Sequence, residues 1–440
     1  MASAAEQLAA NMNFGAFQRA TELHKRLWFT LGALIVYRLG TFIPIPGIDA
    51  DRFAQAFQQQ AEGILSIFNT FSGGAVERMA IFALNVMPYI SASIIVQLMQ
   101  TIYPPWEKLK KEGGEAGRKQ LNQDTRYLTV VLALAQSFSI AVGLANQGLV
   151  IDGIAPAFFL TTTVATLTGG TMFLMWLGEQ ITSRGVGNGT SLIIFASIVA
   201  ALPGAISRLL TLGQNNEINP AMLFAILIMT AGLIAFIVFM ERSQRRLLIQ
   251  YPKRQVGNRM FGGESSFLPL KINTSGVIPP IFASSLLLLP ITAMTFVQGG
   301  NLPDWLSWLQ VVLPYLQHGT PAFMALYAFL IIFFCFFYTS VVFNPEDTAE
   351  NLRKYGGFMP GIRPGKRTAE YLDYVLTRLT VIGAAYITFV CLVPEFLMND
   401  AALSSFAFAF GGTSILIAVT VTMDTVAQIN PTCWRTSTRA

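Results

Sequence analysis

The sequence predicts an all-α polytopic membrane protein with ten transmembrane helices, and three observations carry that prediction. Apolar residues make up 53% of the 440 residues and charged residues only 12%, about half the charged share of a soluble domain. Mean hydropathy is +0.52. The apolar residues gather into ten runs close to the ~20 residues that cross a ~30 Å hydrocarbon layer, with polar segments between them. A soluble multidomain protein is excluded, because too little charge exists to coat its surface. Disorder is excluded as well, since it needs low hydrophobicity and high charge. No segment alternates as a strand would, so a β-barrel is not expected.

The runs are Leu27–Ile45, Ala80–Ile102, Tyr127–Asn146, Ala157–Ile181, Thr190–Leu210, Ala221–Met240, Ser275–Val297, Pro321–Phe343, Arg378–Glu395 and Ser405–Val426. Lys and Arg favour the cytoplasmic side of short loops. Here they crowd into segments 1–26, 103–126, 241–274 and 344–377, while 298–320 and 396–404 have none. Apart from Arg38, Arg52, Arg78, Arg208 and Arg378, every Lys and Arg falls on one side of this scheme. Both ends of the chain are therefore expected in the cytoplasm. Met1–Ala20 lacks an apolar core preceded by positive charge, so no cleaved signal peptide is expected. Phe17, Ala20, Leu23 and Leu27 recur at helical spacing among charged residues. They predict an amphipathic helix on the cytoplasmic surface.

Three features depart from plain spans. Ile64–Phe71 is apolar but too short to cross, and Ser72, Gly73 and Gly74 break it before Glu77 and Arg78. It reads as a half-helix folded back from outside or as an interfacial helix in an outer loop. The first reading requires protein or a water-filled cavity around its irregular backbone. The basic loops 241–274 and 344–377 are longer than connectors need to be and point to partner docking. Arg38 lies inside the first span. A charge there costs about 2.5–3.5 kcal/mol on insertion scales, so it needs a partner, as a structural donor to carbonyls or in transport.

Chemistry-bearing motifs are scarce. Cys335, Cys391 and Cys433 form no CxxC pair, so neither a disulfide nor a metal site is expected. The histidines, His24 and His318, lie outside the spans, and HExxH and GxSxG are absent. Gly361–Lys366 is one residue short of a P-loop, and Arg367 stands where Ser or Thr is required. Gly185–Gly189 reads as a Gly-rich turn between two spans. No cofactor and no enzymatic activity are expected. Ion-coupled carriers keep ionisable groups within their spans; here Glu179 and Asp424 sit near cytoplasmic ends. A small-solute secondary transporter is thus the weaker alternative to a channel, and an intramembrane enzyme comes third.

Several ordered motifs carry a resemblance. They are Phe42-Ile-Pro-Ile-Pro-Gly-Ile-Asp49, Phe71-Ser-Gly-Gly-Ala75, Met87-Pro-Tyr-Ile-Ser-Ala-Ser-Ile-Ile95, Gly178-Glu-Gln-Ile-Thr182, Gly185–Gly189, Phe343-Asn-Pro345 and Pro360-Gly-Ile-Arg-Pro-Gly365. From about residue 15 to about residue 429 the chain closely resembles the SecY family, central subunits of the bacterial protein-conducting channel. The resemblance implies two pseudo-symmetric five-helix halves facing each other as a clamshell, 27–211 and 212–429, with a short re-entrant plug helix at 63–75. It implies SecE and SecG as companion subunits, and the SecA ATPase or a ribosome on the cytoplasmic side as the source of energy. It further implies unfolded precursors with signal sequences as cargo, lateral release into the lipid bilayer, and residence in the bacterial inner membrane.

Site residues follow by family position. The pore ring would be Val86, Ile90, Thr190, Ile194, Ile281 and Ile417. An apolar constriction can seal by dewetting without trapping cargo through charge. The plug would use Ile64, Leu65, Ile67, Phe68, Phe71, Gly73 and Gly74. A lateral gate would run between Ser91, Ser93 and Gln97 on span two and Thr274, Ser284 and Ser285 at span seven, held by weak interhelical hydrogen bonds. Pro279 and Pro280 loosen the start of span seven because neither donates a backbone bond. Docking would use Arg245, Arg246, Arg254, Arg259 and Arg363, with salt-sensitive contacts to ribosomal RNA.

Two places depart from the family. Residues 430–440 do not continue the usual polar, basic tail, as after a frameshift or truncation. Thr190 stands where an aliphatic residue is usual; a hydroxyl that bonds back to its own helix keeps the ring dry, yet a slightly leakier resting seal is expected. Replacing Thr190 with Ile should lower resting ion conductance in planar bilayers, and an unchanged conductance would count against that expectation.

Overall fold

The computed structural model describes residues 21–60, 69, 72–112, 114–151, 153–214, 220–251, 254–256, 259–261, 265–297, 320–397 and 411–437. Long helices dominate it: α1 (Thr21–Gly40), α3 (Met87–Ile102), α5 (Gly114–Asn146), α6 (Pro156–Arg184), α7 (Gly189–Gln214), α8 (Pro220–Arg242), α9 (Ile278–Val297), α10 (Pro321–Val342), α12 (Lys366–Leu397) and α13 (Gly412–Ser437); among the described residues, all but α1, α3 and α9 are long and apolar enough to cross a membrane. Shorter helices are α2 (Ala50–Gln60), α4 (Pro104–Glu112) and α11 (Pro345–Lys354).

Local chemistry sets the boundaries. Proline suits the first turn of a helix, where its missing N–H has no intrahelical partner. It stands there in α3, α6, α10 and α11. Thr320 caps α10 by accepting from Phe323 N at 3.3 Å, and Asn344 caps α11 by accepting from Glu346 N at 3.1 Å. α6 to α10 reproduce the expected spans four to eight to within about a turn. α5 and α12 begin roughly three turns before their apolar runs, so much of the basic sequence at 114–126 and 366–377 is helical.

Four expectations need correction. The second span is not helical from Ala80. Residues 81–86 form buried turns bracketed by Met79 (φ 44°) and Asn85 (φ 48°), left-handed conformations that break a helix. The first span is helical only to Gly40; Pro44 and Pro46 cannot extend it, and Pro44 instead pairs with Ala80. Strands also occur. β1 (Gln244–Gln250) pairs antiparallel with β4 (Ser265–Lys271), and β2 (Arg254–Val256) with β3 (Arg259–Phe261). This nested hairpin fills the loop 241–274. Leu247 and Ile249 are buried with Leu248 half-buried between them, the two-residue alternation of a strand, although the run Leu247-Leu248-Ile249 is apolar throughout and shows no such period in the sequence. Finally, Leu23 belongs to α1 itself and is buried beside Val186, Leu27 and Ile429, rather than lying on a membrane surface. Phe17 and Ala20 fall outside the described residues.

Packing follows residue size. The buried positions of α5 include Gly117, Leu121, Thr125, Thr129, Ala133, Ser137 and Ala141, one every fourth residue. A mostly small stripe of this kind lets helices approach closely in a membrane, and α5 packs on α3 and α6. Ser137 Oγ lies 3.1 Å from Thr168 Oγ1 across the α5–α6 contact. The main apolar core draws on α1, α3, α6 to α10, α12 and α13. A second core joins Ile45, Ile48, Leu84, Leu144 and Phe159.

Gly170 of α6 lets residues 81–86 pack down. A Cβ there would lie 2.2 Å from Ile81 O. Gly170→Ala should therefore destabilise the detergent-solubilised protein by about 1–3 kcal/mol, read as a lower thermal unfolding midpoint. An unshifted midpoint would show that the contact yields freely.

Candidate functional site

The non-helical backbone between α2 and α3 is held by polar groups of the spans. Arg38 Nη1 donates to Gly73 O and, at 3.4 Å, to Thr41 Oγ1. Arg38 thus serves as a structural donor to a carbonyl. Its guanidinium also lies 4.9 Å from the Phe42 ring centre, and that of Arg78 lies 4.1 Å from the same ring. Tyr37 OH sits 3.2 Å from Ser72 O and 2.5 Å from Ser197 Oγ of α7. Asn85 Nδ2 donates to Ser197 Oγ at 3.4 Å. Asn69 O accepts from Gly74 N, and Asn69 Oδ1 from Glu77 N at 2.9 Å. Gly73 has φ 66°, and a Cβ there would lie 3.1 Å from Arg38 Nη1 and 3.2 Å from Ser197 Cα. Ser72 and Gly73 are accordingly buried. Ile64, Leu65, Ile67, Phe68 and Phe71 lie outside the described residues.

Beside this segment is the apolar centre. Val86 caps α3 and Ile90 follows one turn on; Ile194 lies on α7 and Ile417 on α13. All four are buried in the main core, and Ile281 of α9 packs against it. Thr190 differs. It is the second residue of α7, and its N–H donates to Asn188 Oδ1 at 3.1 Å. The residue four before it, Val186, precedes the helix, so the expected back-bond has no helical carbonyl to reach. Gly178 of α6 packs against it, with a Cβ position 3.3 Å from Thr190 Oγ1.

α3 packs against α9, which brings together the two helices bearing Ser91, Ser93, Gln97, Ser284 and Ser285. The hydrogen bonds run along each element. Gln97 Nε2 donates to Ser93 Oγ at 3.3 Å, Ser284 Oγ to Ile281 O at 3.0 Å, and Thr274 Oγ1 to Lys271 O at 3.1 Å. Among the described residues, Gln97 Oε1 and Ser285 Oγ are buried without a partner.

The two basic loops form one structure. Gln250 N donates to Phe358 O at 2.9 Å and Phe358 N to Gln250 O at 3.0 Å. Leu247 and Leu270 of the hairpin pack with Met359 and with Leu372, Val375 and Leu376 of α12. Arg245, Arg246 and Arg363 are exposed. The backbone of Arg254 and Arg259 lies in β2 and β3. At the hairpin root, buried Glu241 accepts from Asn273 Nδ2 at 2.6 Å and from Tyr386 OH at 3.4 Å. Gly187 N donates to Gln428 Oε1 at 2.9 Å, joining the Gly-rich turn between α6 and α7 to α13.

Sequence reasoning missed Tyr37, Asn85, Ser197 and Glu241. Each is a single polar residue in or beside an apolar run, and only the fold brings them to their partners. Asn85 did leave a signal, sitting just before Met87-Pro88 at the start of a span.

Long apolar helices around an apolar centre, bordered by irregular backbone buried in protein, define a polytopic membrane protein. A family model described as SecY matches residues 80–426. The protein translocase subunit SecY of Escherichia coli strain K12 is 54% identical over 413 residues, covering 93% of this chain and 91% of that one. The corresponding subunit of Rickettsia conorii is 52% identical over 412 residues, covering 93% of each. Among solved structures, one described as a protein-conducting channel aligns with TM-score 0.64 at 17% identity, covering 94% of this chain and 93% of that one. Sec61 in the canine ribosome–channel complex from the endoplasmic reticulum aligns with TM-score 0.61 at 16% identity, with the same coverage. The chain belongs to the SecY family. It is a multi-pass membrane protein, a protein-conducting translocase subunit and not an enzyme, and the small-solute transporter alternative is set aside.

Arg38→Met would leave the buried Gly73 carbonyl without its charged donor. An unsatisfied buried group costs about 1–3 kcal/mol, so the thermal unfolding midpoint should fall, with Arg38→Lys restoring part of the loss. Equal behaviour of all three proteins would show that Arg38 holds nothing there.

Proposed function

We propose that this subunit passes unfolded secretory polypeptides through a ring formed by Val86, Ile90, Thr190, Ile194, Ile281 and Ile417. The observation that carries this reading is that the five aliphatic members, drawn from four separate helices, share one apolar core. Such a constriction excludes hydrated ions by dewetting yet yields to a chain of any sequence. Residues 63–75 act as the plug, with Gly73 and Gly74 at its exit.

The halves 27–211 and 212–429 part between α3 and α9. The polar positions Ser91, Ser93, Gln97, Thr274, Ser284 and Ser285 accommodate an arriving signal sequence, and membrane segments leave there for the bilayer. Gln97 and Ser285 support this reading, since a buried polar atom without a partner weakens a closed seam. SecE and SecG complete the channel in the bacterial inner membrane, with both termini cytoplasmic. SecA or a ribosome docks on Arg245, Arg246, Arg254, Arg259 and Arg363 and supplies the energy. The joining of the two loops by Gln250 and Phe358 favours a common docking face, and its contacts to ribosomal RNA weaken with salt.

A stalled precursor should crosslink to photoreactive groups placed at Ile90 and Ile281 and not to one at a lipid-facing position such as Phe329, which is exposed on α10. Absence of crosslinks at both ring positions, with the precursor stalled on the complex, would overturn the assignment.

A further inference from the structure

The Tyr37–Ser197 pair has fewer protons than acceptors. Each hydroxyl carries one proton. Two carbonyl acceptors stand within reach besides the hydroxyls themselves, which lie 2.5 Å apart: Ser72 O at 3.2 Å from Tyr37 OH and Ile193 O at 2.9 Å from Ser197 Oγ. Three arrangements place both protons, and the one in which Tyr37 donates to Ser72 O while Ser197 donates to Ile193 O is set apart because it leaves the 2.5 Å contact between the hydroxyls without a proton; the other two bridge that contact. In one, Ser197 donates to Tyr37 and Tyr37 donates to Ser72 O. In the other, Tyr37 donates to Ser197 and Ser197 donates to Ile193 O, leaving Ser72 O out of the network. Each arrangement makes two hydrogen bonds. Asn85 Nδ2 donates to Ser197 Oγ at 3.4 Å, and that bond fits either one.

We infer that Tyr37 and Ser197 form a release latch for the segment that carries Ser72: Tyr37 holds the segment through Ser72 O, and Ser197 Oγ accepts the Tyr37 hydrogen bond when the segment leaves. The inference rests on reading 63–75 as the plug and adds positioning residues to it. Ile193 belongs to α7, one residue before Ile194, so the second arrangement stays within the helices that remain. No hydroxyl is stranded in the protein interior when Ser72 departs, and the latch can open without the penalty of a buried unpaired donor.

The two residues therefore carry opposite predicted effects. Tyr37→Phe removes the hold on Ser72 O and keeps the ring. Ser197→Ala removes the alternative acceptor, so Tyr37 can donate only to Ser72 O. Opening then strands a buried O–H, worth about 1 kcal/mol or more, or about fivefold in an equilibrium.

The test uses the complete channel complex in planar bilayers, with resting ion conductance and the initiation rate of precursor translocation both measured. Tyr37→Phe should raise resting conductance about two- to tenfold, the range for one ordinary hydrogen bond. Ser197→Ala should slow initiation about fivefold without raising conductance. A general loosening of packing would push both variants toward leakage, so leakage from Ser197→Ala, or an initiation rate at or above wild type, would overturn the latch. So would wild-type conductance in Tyr37→Phe. Deletion of residues 63–75 separates this outcome from failure of the plug reading. If the deletion leaves conductance unchanged, the plug itself is misassigned and the latch falls with it. If the deletion raises conductance, adding Tyr37→Phe to it should raise it no further, and an additional rise would overturn the latch alone.

Discussion

Backbone N–H and C=O groups that leave a helix within an apolar medium must find partners inside the protein. Residues 72–86 work under that constraint, and much of the molecule is arranged around meeting it. Ile81 N reaches Ile43 O at 2.9 Å, Ile45 N reaches Met79 O at 3.0 Å, and Ala80 N reaches Ala75 O at 2.8 Å. Side chains complete the set: Tyr37 and Arg38 serve Ser72 O and Gly73 O, and Ser72 Oγ accepts from Val76 N. The first span, the Pro-rich turn after it and the start of α3 are tied together because the chain between them lacks helical bonds of its own. Gly170 lets the segment approach α6, which places Val86 at the head of α3 and so positions the apolar centre.

The same constraint explains the distribution of polar residues. Thr129, Thr163, Thr171 and Thr339 are buried in long helices, and Thr129, Thr171 and Thr339 bond back to carbonyls of their own turn. Among the polar groups that reach other elements, Tyr37, Arg38, Asn85 and Ser197 gather around the irregular segment and Glu241 stands at the root of the hairpin, two separate levels, while pairs such as Ser137–Thr168 and Tyr327–Thr413 link neighbouring helices. Between those levels the core is apolar, which suits a passage that must not select among cargo sequences.

Much of this fold was legible in the sequence because spans are long, apolar and bounded by proline. Helices α6 to α10 needed no tertiary information. The start of α3 was misread because hydropathy reports burial and not conformation: Ala80–Val86 is as apolar as a helix, yet Met79 and Asn85 adopt left-handed backbone. The hairpin was missed because Leu247-Leu248-Ile249 is a continuous apolar run with no alternation, and strands β2 and β3 span three residues each. The broken segment at Ser72–Gly74 and the isolated Arg38 were both visible, but that one answers the other depends on two positions 35 residues apart meeting in space. The ring positions came from family likeness alone, since lone aliphatic residues carry no signal against an apolar background.

The joined loops have a mechanical side. A seven-residue strand is about 23 Å long, so β1 is a lever arm whose inner end continues directly from α8. Two bonds between Gln250 and Phe358 brace the far end of that arm against the second loop, and Glu241 clamps the near end to Asn273 and Tyr386. An arm braced at one end and clamped at the other resists bending. The hairpin is thereby joined to α8 through Glu241 and to α12 through Leu372, Val375 and Leu376 rather than hanging from the helices as slack chain.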